Sequence, residues 1–160
     1  MQISQEGIAL IKKFEGCPKN SKGDAVSYRC AANKKTIGFG SLKLIDGSPV
    51  EDDMTITMQE AEELLAHELE EYEGYINEMV ECNLTQNQFD AMVSWVFNLG
   101  PTNLKNSSLL KILNSTHVDW ADIPHQIQRW NKVNGKVNEG LVRRREAEAL
   151  LFEGKEWHEV

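Results

Sequence analysis

Cysteine is scarce in this chain: Cys17, Cys30 and Cys82 are the only three among 160 residues. An odd number at irregular spacing does not make a disulfide framework. No Cys-x-x-Cys pair occurs, and the four histidines (His67, His117, His125, His158) form no ligand cluster, so no metal site is expected. Apolar runs are only a few residues long, too short for a membrane span. The opening MQISQEGIALIKKFEG lacks a basic stretch followed by an apolar one, so neither a secretory signal nor a membrane anchor is expected. Together these absences predict folding in a reducing cytosol without membrane insertion. Lys and Arg are missing altogether from residues 44–104, which hold fourteen acidic residues. The formal net charge is −8, which argues against a general nucleic-acid binder.

The positive charge lies elsewhere. Residues 1–43 carry eight basic and three acidic side chains. The acidic middle reads as a solvated helix face, and the basic start as a surface that attracts anions.

The helical signals are strong. Ser4 is placed to cap a first helix whose stripe runs Ile3, Ile8, Ile11, Phe14 and which Gly16 ends. Thr57-Met58-Gln59-Glu60 forms a capping box before a long amphipathic run to about Cys82, with Gly74 as a weak point. A second box, Thr85 to Gln88, opens a helix that is apolar on most sides and stops at Gly100-Pro101. Shorter helices are expected at about 107–113, 118–131 and 140–152, with a turn at Asn134-Gly135. Residues 17–50 differ: Gly and Pro punctuate β-prone runs at Ala25–Tyr28, Thr36–Phe39 and Leu42–Ile45, which predicts a small antiparallel sheet with hairpins. The fold class is therefore α+β, one domain over residues 1–160.

Two features suggest chemistry. Glu15 falls at the end of the first helix, where the macrodipole makes a carboxylate harder to ionise. That property suits a general acid for glycoside cleavage. Thr36-Ile37-Gly38-Phe39-Gly40 has alternating glycines, which imply close approach by a backbone or a ligand, and a hydroxyl able to hold a water.

Phe14-Glu15-Gly16-Cys17, Tyr28-Arg29-Cys30 and Thr36-Ile37-Gly38-Phe39-Gly40, in that order, resemble the active-site region of phage-type lysozymes, the endolysins of glycoside hydrolase family 24. That family carries a Glu, then an Asp or Cys, then a Thr after five intervening residues; Cys30 and Thr36 have that spacing. Further blocks agree in order: Met54–Thr57 with Glu60-Ala61-Glu62, Gln88–Ala91 through Phe97–Gly100, Asn106–Leu110, Arg129-Trp130-Asn131 and Gly140–Arg145.

The resemblance implies a lysozyme-like fold: a β-rich lobe at 15–56, a helical lobe formed by 1–14 and 57–160, and a cleft between them. It implies hydrolysis of the β-1,4 bond between N-acetylmuramic acid and N-acetylglucosamine in peptidoglycan, with inversion and without a cofactor. Glu15 is the implied acid, and Cys30 and Thr36 the residues that place and polarise the water. Leu42, Phe97 and Ser108 fall where the family lines its cleft. Glycan strands are the implied partner, the chain acting as a monomer. It would await in the host cytoplasm a membrane lesion made by a separate holin. A lytic transglycosylase on the same bond, or a non-catalytic wall-binding module, are the alternatives.

Two points depart from the family's pattern. Six extra residues within Pro18–Val26 allow an alternative register that puts Asp24 in place of Cys30. Ser41 stands where many relatives have His. Arg29, Lys34 and Lys35 are expected to favour a Cys30 thiolate, and Arg143–Arg145 to pair with Glu139, Glu146 or Glu148. Cys17 and Cys82 are assigned to packing.

Overall fold

Helix α1 runs Gln5–Glu15 and ends on Gly16, whose φ of +68° is the left-handed conformation that glycine adopts without strain. Ser4 does not cap it through its side chain. Its hydroxyl donates to the buried carboxylate of Asp90, which also accepts the Ser4 N–H at 2.9 Å and the Gln86 amide at 2.8 Å. A computed structural model describes all 160 residues and divides them into two units, Met1–Phe14 with Glu71–Val160, and Glu15–Glu70.

The Glu15–Glu70 unit holds two short antiparallel ladders. Strand β1 (Ala25–Val26) pairs with β4 (Thr55–Ile56), and β2 (Tyr28–Arg29) with β3 (Lys35–Thr36). Isolated bridges link Ile37 to Ser41 and Lys43 to Pro49. The strand expected at Leu42–Ile45 reduces to that last bridge. Asp46 and Gly47 turn the chain there, with Gly47 N–H bonding the Leu44 carbonyl at 2.9 Å and Ser48 capping the Asp46 side chain. Ladders this short are not stable alone. The buried side chains Ala25, Ile37, Phe39, Val50, Ala61, Leu64, Leu65 and Leu69 supply the apolar core of this unit, half of them from helix α2 (Met58–Met79). Both bonds of the capping box that opens α2 form: Thr57 N–H to Glu60 at 3.1 Å, and Glu60 N–H to Thr57 at 3.0 Å. The first three turns of α2 thus group with the strands.

The other unit is almost wholly helical. Helix α3 (Gln86–Leu99) has its complete capping box and is buried from Phe89 through Val96. Gly100-Pro101 ends it as expected, yet Pro101 also opens α4 (Pro101–Lys105). Pro suits both roles, because a first-turn residue has no N–H to contribute. Helices α5 (Ser108–Leu113), α6 (Ile123–Gln128) and α7 (Glu139–Phe152) follow, with a 3-10 turn at Trp120–Asp122 where a longer helix was expected. A hairpin, β5 (Lys132–Val133) and β6 (Lys136–Val137), closes through Asn134-Gly135, both at positive φ. Helix α7 packs on α3 and α6. At its centre Glu148, fully buried, accepts from Arg144 at 3.2 Å, Arg145 at 2.6 Å and Ser94 at 2.5 Å. This is the structural pairing foreseen for the arginine run; Arg143 stays exposed. No helix is long and apolar enough to cross a membrane.

Candidate active site

The β2–β3 hairpin sorts its side chains by strand alternation. Tyr28 lies directly opposite Thr36, and Arg29 opposite Lys35. Opposed residues share a face, and so do residues two apart on one strand. Tyr28, Cys30 and Thr36 therefore occupy one face, and Arg29 and Lys35 the other. The second face is a salt-bridged surface: Arg29 meets Asp52 at 3.1 Å, and Lys35 meets Glu51 at 3.4 Å and Asp52 at 3.8 Å.

This geometry corrects the expected source of Cys30 activation. Arg29 and Lys35 are engaged by acids, Arg29 also donating to the Asn33 carbonyl at 3.1 Å, and neither is among the groups that lower the thiol. The Cys30 thiol is nonetheless held below the ordinary thiol range, first by the backbone N–H of Lys34, then by the Thr36 side chain, with the Ala32 N–H adding to them. Cys30 closes the tight loop that makes this possible. Its N–H bonds the Lys34 carbonyl at 3.0 Å, Asn33 N–H bonds the Cys30 carbonyl at 2.8 Å, and Asn33 has a φ of +59°. Such a turn directs successive N–H groups inward, an arrangement that stabilises an anion. The Thr36 hydroxyl also reaches the Lys34 carbonyl at 2.8 Å. Its one proton serves the carbonyl or the sulfur, so the backbone groups are the constant donors.

Glu15 approaches the far end of the Thr36–Gly40 block. Gly40 ends the Ile37–Ser41 loop with a φ of +95°, and a Cβ there would stand 3.2 Å from Glu15 Oε2. Gly38 has the same logic toward the helix, since a Cβ there would stand 3.3 Å from the Ala61 Cβ. Both glycines of the Thr36–Gly40 block thus permit close approach, one to α2 and one to the carboxylate. Glu15, Cys17 and Cys30 all push the Tyr28 phenol upward electrostatically, behind the larger effect of its burial. Glu15 and Cys30 therefore both act electrostatically on Tyr28, and the Thr36 side chain helps to hold the Cys30 thiol low.

The other expected residues are placed as follows. Leu42 is an exposed residue just beyond the Ile37–Ser41 loop. Asp24 sits in the turn that Asn20 organises, ahead of β1, on a different ladder from Cys30. In the helical unit, the Phe97 ring meets Tyr72 edge-on at 5.0 Å. Ser108 is exposed at the start of α5; the cap is Ser107, which accepts the Leu110 N–H at 3.0 Å. Ser108 lines a groove of about 510 Å³ with Leu99, Ser107, Arg129, Trp130 and Lys132 among its walls. In the sequence Tyr28 stood out only as part of the Tyr28-Arg29-Cys30 block, and its two-residue spacing from Cys30 was the signal that the two share a face.

The family model for phage lysozyme matches residues 12–148, a span that contains every one of these groups. The chain belongs to the phage lysozyme family. It is 40% identical over 156 residues to an endolysin of Bacillus phage PZA, covering 95% of this chain and 55% of that protein. The chain thus spans about half the length of that relative. It is 35% identical over 152 residues to an endolysin of Salmonella phage P22, covering 95% of this chain and 98% of the relative. A solved endolysin from Escherichia coli O157:H7 phage FAHEc1 superposes with a TM-score of 0.84 at 35% identity, covering 95% of this chain and 93% of that one. The α+β, lysozyme-like architecture expected from sequence is thereby established for this member of the phage lysozyme family.

Proposed function

We propose that this chain is a muramidase that hydrolyses the β-1,4 bond between N-acetylmuramic acid and N-acetylglucosamine in peptidoglycan, with inversion, and so lyses a bacterial host. Glu15 protonates the leaving oxygen. Cys30, as thiolate, draws a proton from the attacking water on the opposite face of the sugar, and Thr36 helps to position that water. An inverting pair needs room for this water between acid and base. Leu42, Phe97 and Ser108 contact the glycan. The chain acts as a monomer on glycan strands, accumulates in the host cytoplasm and reaches the wall when a separate holin opens the membrane.

The observation that carries this reading is the approach of the Glu15 carboxylate to Gly40, where a Cβ would stand 3.2 Å from its Oε2, at the end of the block that Thr36 opens beside Cys30. A carboxylic acid and a thiol stabilised as its anion are the acid and base that inverting hydrolysis requires. Clearing of outer-membrane-permeabilised bacteria tests it. The wild-type chain clears the suspension and Glu15→Gln does not; equal clearing by both would remove Glu15 as the acid.

A further inference from the structure

We propose that Tyr28 is a further catalytic residue, whose phenolic O–H donates a hydrogen bond to a glycan oxygen bound on the face that it shares with Cys30 and Thr36. The inference rests on the reading of the site given above. Three observations carry it. Tyr28 stands directly opposite Thr36 and two residues before Cys30, so strand geometry commits its ring to their side of the hairpin. The ring is half-buried, and no side chain or backbone group of the protein takes its hydroxyl as a hydrogen-bond partner. A phenol in such a place usually finds an acceptor, and a substrate oxygen completes it. Finally, burial first, and then the charges of Glu15, Cys17 and Cys30, raise the phenol above its ordinary range, so it keeps its proton.

That last effect decides the role. A group that keeps its proton is neither the base nor the acid of the reaction; it is a permanent neutral donor. On the face that the water attacks, it presents a positive hydrogen end to a sugar oxygen, a contact that strengthens as the ring distorts toward the transition state. A hydroxyl that merely filled space would give none of this and would be replaced by Phe without loss.

Tyr28→Phe is the test, with release of reducing ends from purified peptidoglycan followed across pH. The inference predicts a fall of about tenfold in kcat with a much smaller change in KM, the signature of a hydrogen bond strengthened in the transition state. Fluorotyrosine at position 28 keeps the ring and the O–H donor. It retains most of the wild-type kcat that Tyr28→Phe loses. A Tyr28→Phe protein with wild-type kcat, or a fluorotyrosine protein whose kcat falls as far as that of Tyr28→Phe, overturns the inference while the hydrolytic reading stands. A wild-type chain that releases no reducing ends overturns both.

Discussion

Gly40 touches Glu15: a Cβ at position 40 would stand 3.2 Å from Oε2 of that carboxylate, on a backbone whose φ is +95°. Gly40→Ala therefore strains the turn and displaces the acid. Gly23 is the control, because its φ of +83° carries the same backbone strain while nothing lies within 4 Å. Each Ala variant should lose about 1 kcal/mol of stability or more from the left-handed backbone. Only Gly40→Ala should also lose most of its lytic activity. Thermal unfolding and turbidity assays on the two variants check this.

Cys30 is the thiol held low by backbone N–H groups, whereas burial pushes Cys82 upward. Thiolate is the species that alkylates. Iodoacetamide should therefore modify Cys30 at lower pH and before Cys82, and its modification should track loss of activity. Peptide mass spectrometry against residual activity measures both. Cys30→Ser should lose activity, and Cys30→Asp should retain it with the acid limb of its pH profile moved down, since a carboxylate ionises several pH units below a thiol. Full activity in Cys30→Ser would contradict the thiolate role.

Much of this fold was legible, and the part that was not has identifiable causes. The capping boxes at Thr57/Glu60 and Thr85/Gln88 formed as read, because each is a local exchange of two hydrogen bonds that four residues specify. Helix α4 escaped because Gly100-Pro101 reads as a stop, and Pro serves equally as a first helical residue. The turn at Asn134-Gly135 was legible, but its strands of two residues are too short to show alternation. In the site, Glu15, Cys30 and Thr36 were named from motif resemblance. The source of the Cys30 shift was misread, since nearby cations show in a sequence and backbone N–H groups do not.

Glu148 binds two arginines in a fully buried cluster. Glu148→Gln leaves those cations without their counter-charge, which typically costs about 3–5 kcal/mol. For a chain of this length that corresponds to a fall of roughly 10 °C in Tm. Glu146→Gln, on the exposed neighbour, should change Tm by about 1 °C or less. Calorimetry of both variants decides.

Two helical glycines should respond oppositely to one substitution. A Cβ at Gly7 would lie 2.6 Å from Ile3 Cγ1 and 2.8 Å from the Asp90 Cβ, so Gly7→Ala overpacks the contact of α1 with α3 by about 1–3 kcal/mol. Gly74 lies exposed in α2 with nothing within 4 Å, so Gly74→Ala stabilises by about 0.5–1 kcal/mol. Denaturant midpoints of the two variants should move in opposite directions.

Delivery of a water molecule to a glycosidic bond by Glu15 and the Cys30 face is decided by digestion of purified peptidoglycan in ¹⁸O-labelled water, read by mass spectrometry of the muropeptides. Hydrolysis leaves N-acetylmuramic acid at the new reducing ends, each carrying one ¹⁸O from solvent. Products ending in an unlabelled 1,6-anhydro sugar would contradict it, because that chemistry uses no positioned water.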